Sequence, residues 1–186
     1  MKKELKKVAK VIVDNLPKFK TSFAKLSKKD VLVGVPSDTS ERKDNEGEMN
    51  NATIAYIQDN GSPAANIPAR PFMVPGIEGC SDKLSGQFKK GAQDIISGNE
   101  GAIEASLTKA GLIAQASIRN KINEGIPPPL ADSTLKARIR SGKAVKGAKA
   151  ELKSRFEGNP PSMSSAKPLV HTGQLRNSIS FVVRNK

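Results

Sequence analysis

The chain has 186 residues, a formal net charge of +13 and an aromatic content of 4%, so it is long enough for one domain with an aliphatic core. Its single cysteine and single histidine exclude an intrachain disulfide and a zinc site with four nitrogen or sulfur ligands. The basic excess predicts a polyanionic partner, either a nucleic acid or an acidic protein surface.

An amphipathic helix is predicted near the N-terminus. Its apolar residues recur every three or four positions, with lysines between them: Leu5, Val8, Ile12, Leu16, Phe19, Phe23 and Leu26. Pro17 should kink this helix. We interpret it as a long helix that covers the core; the alternative is a basic helix that lies on a membrane surface.

A short apolar run at 31–35, ended by Pro36, predicts a strand. Residues 37–50 are polar and charged and predict a mobile loop or a hairpin tip. Asn51 then starts a short helix that runs to Asp59, with Gly61 in the place of a C-terminal cap.

The segment 66–73 is predicted to be extended, because Pro68 and Pro71 bias the residues before them away from helix. Arg70 and Phe72 lie on either side of Pro71. One guanidinium and one aromatic ring are difficult to bury together, so we expect this segment to form a contact surface.

Two helices should follow. Pro75 is well placed to begin the first, and Gly98 ends it; its apolar stripe is Ile77, Leu84, Phe88, Ala92 and Ile95. Asn99 caps the second, which stops at Gly125; its stripe is Ile103, Leu107, Ala110, Ala114, Ile118 and Ile122. Small residues around Gly111 would permit close packing against a neighbouring element.

Residues 126–130 predict a stiff extended connector, and a short helical piece follows at 135–139. Residues 136–166 form a basic insert within the domain. Its part from 141 to 165 is rich in Gly, Lys, Ala, Ser and Pro, so we expect it to be mobile. The residues that could face a polyanion are Lys136, Arg138, Arg140, Lys143, Lys146 and Lys149.

The C-terminal stretch 167–184 predicts a turn followed by a closing strand. Thr172 and Gly173 mark the turn, and glycine alone takes a positive φ without steric cost. Ile179, Phe181 and Val183 then alternate with outward residues, as in a strand with one buried face. We expect this strand to pair with residues 31–35 in one α+β domain that spans residues 1–186.

The sequence carries no phosphate loop of the Walker type, no dinucleotide fingerprint and no nucleophile elbow. His171 is interpreted as structural, and Cys80 as a small core residue. We therefore predict no enzyme activity, no cofactor and no metal. No apolar run is long enough to predict a signal peptide or a membrane span.

Four pieces of the chain, in this order, carry a resemblance. They are Asp-Asn-Gly at 59–61, Ile-Pro-Ala-Arg-Pro-Phe-Met at 67–73, Gly125 with Pro-Leu-Ala-Asp-Ser-Thr-Leu at 129–135, and Pro-Leu-Val-His-Thr-Gly-Gln-Leu-Arg-Asn-Ser-Ile at 168–179. Together they resemble the neck and tail-completion proteins of long-tailed bacteriophages. The chain departs from the family pattern at His171, where an acidic or polar residue is common, and in its long basic insert.

The resemblance implies a non-enzymatic virion protein that forms a ring, commonly a hexamer, at the top of the tail. The implied fold is an antiparallel sheet with helices packed on one face. Its implied partners are further copies of itself and the neighbouring neck, connector and tail-tube proteins, with DNA near the lumen. The candidate subunit-contact or structural residues are Arg70, Pro71, Phe72, Thr172, Gly173, Leu175 and Arg176.

Two rival interpretations stay open. The first is a sequence-independent nucleic-acid-binding protein; the charge favours it, whereas the scarcity of aromatic residues for base stacking counts against it. The second is another ring component of the same neck, the tail-tube terminator, which shares the size and the α+β character.

Overall fold

The structure is a computed structural model, and it describes residues 17, 20, 21, 24, 27–37, 49–97, 99 and 101–186. The apolar stripe of the long N-terminal helix predicted between residues 5 and 26 lies outside the described residues, as does the kink near Leu16. Most of the predicted loop at 37–50 also lies outside them.

The described part of the chain consists of seven α-helices and one two-stranded sheet. The elements in chain order are β1 (Lys29–Gly34), α1 (Asn51–Asn60), a 3₁₀ turn (Pro63–Ala65), α2 (Met73–Glu78), α3 (Ser81–Ile96), α4 (Ala102–Glu124), α5 (Asp132–Arg140), α6 (Val145–Phe156), α7 (Gln174–Ser178) and β2 (Ser180–Asn185). The α+β class is therefore present, with helix dominant over sheet.

The first and last strands of the described chain pair as the sequence predicted. β1 and β2 run antiparallel, with Val31 opposite Val183 and Val33 opposite Phe181. This register turns the alternating apolar residues of both strands towards α4, while Leu32 is exposed. The period of two along the strands therefore determines both the pairing and the buried face.

Helix α4 is the centre of the packing, since it contacts α2, α3, α7 and both strands. Glycine permits a close approach to β2: a Cβ built on Gly111 would lie 2.3 Å from Cδ2 of Phe181. Arg119 and Gln115 of α4 both donate to the carbonyl of Ile179, at 2.7 Å each. The entry to β2 is thus held by hydrogen bonds as well as by packing.

Three apolar clusters form the interior. The largest joins α1, α2, α4 and α7 around Phe72, Ile118 and Ile179, and a second lies between α3, α4 and the sheet around Ile95 and Leu107. Burial of one side chain of this size contributes about 1.5–3 kcal/mol. The third cluster joins α5 to α6.

The helix predicted from Pro75 to Gly98 is two helices, α2 and α3, separated at Gly79 and Cys80. Its predicted stripe is also displaced, because Phe88 is exposed while Gly91 is buried. A Cβ at Gly91 would lie 2.2 Å from Oγ of Ser106 in α4. The close approach at Gly91 and the buried Ile95 together mark the side of α3 that faces α4.

The basic insert contains a helix that the sequence did not predict, while its mobility stays a prediction. Residues 145–156 form helix α6, which packs against α5 through the fully buried Ala148. The packing is close enough that a Cβ on Gly147 would lie 2.2 Å from the carbonyl oxygen of Ser165. Helix α6 packs with few large apolar residues, because its small residues allow its backbone to approach the neighbouring segments closely. Composition alone did not reveal this packing.

Candidate functional site

A cavity of about 510 Å³ lies where four separate parts of the chain meet. Helix α1 contributes Gln58, the segment after it contributes Arg70, and the proline connector contributes Pro128 and Leu130. The turn before α7 closes it with residues 171–175. The sequence pieces that carry the phage resemblance thus supply most of the walls of one cavity.

The local chemistry of α1 positions its side of the cavity. Asn50 caps the helix, since its Oδ1 accepts from the backbone N–H of Thr53 at 2.9 Å. Gly61, with φ of 79°, ends it and donates to the carbonyl of Ile57 at 2.8 Å. The predicted start at Asn51 and the cap at Gly61 are therefore confirmed, and the helix ends one residue later than predicted, at Asn60.

Asp59 ties the extended segment to α1. Its Oδ1 accepts from the backbone N–H groups of Phe72 at 2.7 Å and Met73 at 3.0 Å. One carboxylate oxygen thus satisfies two donors at the start of α2, where the helix dipole also favours negative charge. The backbone N–H of Arg70 donates to the carbonyl of Gln58 at 2.8 Å, which fixes the segment at a second point.

Arg70 and Phe72 are both buried, contrary to the expectation that they form a contact surface. Phe72 is 0% exposed in the largest cluster, and Arg70 is 6% exposed. Burial of both is possible because they face different surroundings: the ring meets core residues, whereas the guanidinium lines the cavity. Between them, Pro71 is exposed.

The guanidinium of Arg70 makes one hydrogen bond, from Nη2 to the carbonyl of Pro128 at 3.0 Å. Its Nε is buried and has no hydrogen-bond partner among the described residues. Burial lowers the pKa of Arg70 from its usual value, because removal of water penalises the charged form.

Arg138, predicted to face a polyanion at the surface, is instead 7% exposed and lines the same cavity. Its Nη1 donates to the carbonyls of Lys167 at 3.1 Å and Val170 at 3.0 Å. Burial, and after it the positive charge of Arg70, lowers the pKa of Arg138. The sequence held a signal for this, since Arg138 follows Leu135 by three and so shares its buried helix face.

The two carbonyls that Arg138 holds lie on either side of Leu169. Leu169 has φ of 60°, an uncommon conformation for a residue with a Cβ that costs on the order of 1–3 kcal/mol. Arg138 therefore stabilises a strained bend in the wall of the cavity. Sequence reasoning had no pattern from which to predict it.

The turn at Thr172 and Gly173 has the predicted form. Gly173 has φ of 79° and directly precedes α7, while Thr172 is exposed. Leu175 is buried in the largest cluster, and Arg176 Nη1 donates to Oδ1 of Asn123 at 3.0 Å. This motif thus anchors the C-terminal stretch to the end of α4, a structural role within the subunit.

The other predicted polyanion-facing residues lie on α5, on α6 and in the loop between them. Lys136, Arg140, Lys146 and Lys149 are exposed, and Lys143 is half-buried. Their side chains belong to two packed helices and a short loop, so the basic surface has a fixed support.

A second group of buried charges, which sequence reasoning missed, joins α5 to α6. Glu151 is 2% exposed and accepts from the N–H of Ser162 at 2.7 Å, its Oγ at 2.9 Å and Arg155 Nε at 3.0 Å. Arg155 also pairs with Asp132 at the start of α5. Burial raises the pKa of Glu151, but the Ser162 and Arg155 hydrogen bonds outweigh burial and hold the pKa below its usual range.

Within the described residues, no three His, Cys, Asp or Glu side chains lie so as to hold a metal ion. None of the described helices is long and apolar enough to cross a membrane. Comparisons with family models, with curated proteins and with solved structures gave no match to this chain.

Proposed function

We propose that this protein is a structural subunit of the neck of a long-tailed bacteriophage, where it forms a hexameric ring that completes the tail and joins it to the head. The proposal assigns it to the virion and gives it no catalytic role. Its site residues act by holding the subunit in shape and by contacting other proteins.

The observation that carries the proposal is the convergence of three of the four resemblance motifs on one cavity. Each motif alone consists mainly of turn chemistry, which recurs in unrelated proteins. In this chain Asp59 of the first motif accepts from the backbone N–H groups of Phe72 and Met73 in the second. Arg70 of the second motif donates to Pro128, the residue before the third, and Arg138, three residues after the third, donates to Val170 of the fourth. Motifs that depend on one another in space support a shared origin better than motifs scattered over a surface.

The ring contact requires a surface other than the buried Arg70 and Phe72. Leu32 and Val182 are opposite each other in the sheet register, and both are exposed on the face away from α4. No third strand joins the sheet within the described part of the chain. An open sheet edge beside exposed apolar side chains suits a head-to-tail contact between copies, and such a contact closes into a ring when the rotation permits.

The exposed cations of α5 and α6 give the ring a side that would face DNA in the lumen or an acidic neighbour such as the connector or the tail tube. Their mutual repulsion would also keep free subunits apart. Assembly would then require a template that raises the local concentration of subunits.

The proposal is tested by quantitative mass spectrometry of purified phage particles together with deletion of the gene. We expect a copy number per particle that matches a hexamer, and a deletion phenotype of separate filled heads and unjoined tails. Absence of the protein from particles, or normal joining without it, would refute the proposal. Defective tail length in the deletion would instead indicate the tail-tube terminator.

The second candidate, sequence-independent binding of nucleic acid, is favoured by the exposed cations on α5 and α6. It predicts that the purified subunit binds duplex DNA with an affinity that falls steeply as salt rises. A single combined substitution of Lys136, Arg140, Lys146 and Lys149 by Gln should then abolish binding. For the neck subunit, we expect the same variant to fold and to be incorporated less efficiently into particles.

A further inference from the structure

We propose that the cavity between α1, the proline connector and the turn before α7 binds a phosphate group through Arg70 and Arg138. The proposal does not depend on the neck assignment, because it concerns only the chemistry of the cavity.

Two buried positive charges share this cavity without a negative partner. Arg70 and Arg138 both line it, and no Asp or Glu side chain is among the described residues of its wall. Neither arginine makes an ion pair within the described part of the chain. Buried charges in proteins are normally paired, because an isolated charge loses its hydration without compensation.

The hydrogen bonds made by the two arginines leave donors available. An arginine has five N–H donors. Arg70 uses Nη2 for Pro128, and Nη1 has no partner among the described residues; its Nε also lacks a partner, but it is buried away from the cavity space. Arg138 uses only Nη1, for the carbonyls of Lys167 and Val170. These carbonyl bonds tether one nitrogen of each guanidinium group at the cavity wall before a ligand arrives.

The remaining wall suits an oxyanion. Gln58 and Thr134 bring an amide and a hydroxyl to the same cavity. Guanidinium groups bind phosphate and carboxylate oxygens in a bidentate manner, with geometry and charge both favourable. The positive charge of Arg70 disfavours the charged form of Arg138. Two positive charges in one cavity are best compensated by a doubly charged group, which favours phosphate over a single carboxylate.

The test uses the purified full-length protein and follows the arginine Nε–H signals by ¹⁵N NMR during titration with sodium phosphate. Sodium chloride and sodium acetate are titrated at matched ionic strength. We expect a saturable shift of the Arg70 and Arg138 signals with phosphate alone. A shift that is linear and equal for phosphate and chloride, or an equally saturable shift with acetate, would overturn the proposal.

Matched variants locate the site. Arg138→Gln and Arg140→Gln remove the same charge from the same helix, but Arg140 is exposed. We expect Arg140→Gln to keep the wild-type affinity and Arg138→Gln to weaken it at least tenfold. If Arg138→Gln fails to fold, Arg70→Lys keeps the charge and loses the planar fork, and it should weaken phosphate binding by a similar factor. Equal affinity in the folded cavity variant and in Arg140→Gln would contradict the assignment.

A second titration identifies the source of the phosphate. Short oligonucleotides with and without a 5′-phosphate are compared with inorganic phosphate at the same arginine signals. Saturation by inorganic phosphate or by the 5′-phosphorylated oligonucleotide indicates a terminal or free phosphate. Saturation by both oligonucleotides alike indicates a backbone phosphate, and each of these results supports the site. No response to any of the three would overturn it.

Discussion

Buried charge is handled in opposite ways in two regions of the molecule. Between α5 and α6, Glu151 and Arg155 neutralise each other, and Asp132 completes the group. In the cavity, Arg70 and Arg138 hold backbone carbonyls and carry no counter-charge from the described residues. In the first arrangement the charges are paired within the subunit and serve stability. The second arrangement has two positive charges and no negative charge from its wall, which is typical of a site that binds an anion.

The largest loss of unfolding free energy should come from disrupting the paired charges of Glu151, Arg155 and Asp132. Glu151→Gln removes a buried charge while Arg155 stays 12% exposed at its side chain, so we expect a loss of about 3–5 kcal/mol of unfolding free energy. Denaturant unfolding measures it. Glu157→Gln is the matched control, because Glu157 makes only a surface pair with Lys153 at 3.8 Å. Its effect should stay below about 1 kcal/mol, and equal effects of the two variants would contradict a special role for Glu151.

Disruption of the cavity wall should lower the free energy of unfolding by less than Glu151→Gln does. Arg138→Gln removes two hydrogen bonds to carbonyls but also removes an uncompensated charge, so we expect a loss of about 1–3 kcal/mol. Arg140→Gln, exposed on the same helix, should be nearly neutral. Thermal unfolding of the two variants provides the comparison. If Arg138→Gln is more destabilising than Glu151→Gln, the contrast between the two regions is wrong.

The backbone of the cavity turn can be tested separately. Gly173 has φ of 79°, and a Cβ at this position would have its nearest neighbouring atom 3.6 Å away, so only conformational strain opposes a side chain there. Gly173→Val should lower the free energy of unfolding by on the order of 1–3 kcal/mol. Gly173→Asn should cost less, because Asn tolerates this conformation. Thermal unfolding compares the two variants, and equal costs for Val and Asn would indicate that strain is not the cause.

The two regions should also contribute differently to the pH dependence of the unfolding free energy. Because the folded-state pKa of Glu151 is lowered, its contribution to stability is present above the unfolded-state pKa and is lost as the pH falls through the folded-state pKa. The cavity arginines stay charged throughout this range. Unfolding free energy measured between about pH 3 and pH 7 should therefore fall less steeply in Glu151→Gln than in the wild type, and as steeply in Arg138→Gln. Parallel curves for wild type and Glu151→Gln would contradict the shifted pKa.

Much of the fold is readable from the sequence where one residue type dictates a local geometry. Gly173 takes the predicted positive φ, and Gly61 and Gly125, predicted as helix ends, follow their helices and also have positive φ. The alternation in β2 indicates its buried face, and the register with β1 follows. These features depend on short-range sterics and on a period of two, which a sequence shows directly.

The site is harder to predict, because its partners are distant in sequence. Nothing local to Arg70 shows that the carbonyl of Pro128 lies 3.0 Å away, so sequence reasoning assigns the arginine to the surface. Likewise, the lysine-rich composition around Glu151 hides the one carboxylate that is buried there among the described residues. Composition describes the exposed side of a helix, whereas long-range hydrogen bonds decide what is buried.

The most direct test of the central claim is a cryo-EM reconstruction of the neck of the intact particle. We predict a closed ring of this chain between head and tail, with Leu32 and Val182 at the contact between copies and the cations of α5 and α6 towards the lumen or an acidic neighbour. A neck in which the chain is absent, or is present only as isolated copies, would contradict it and would leave nucleic-acid binding as the better account.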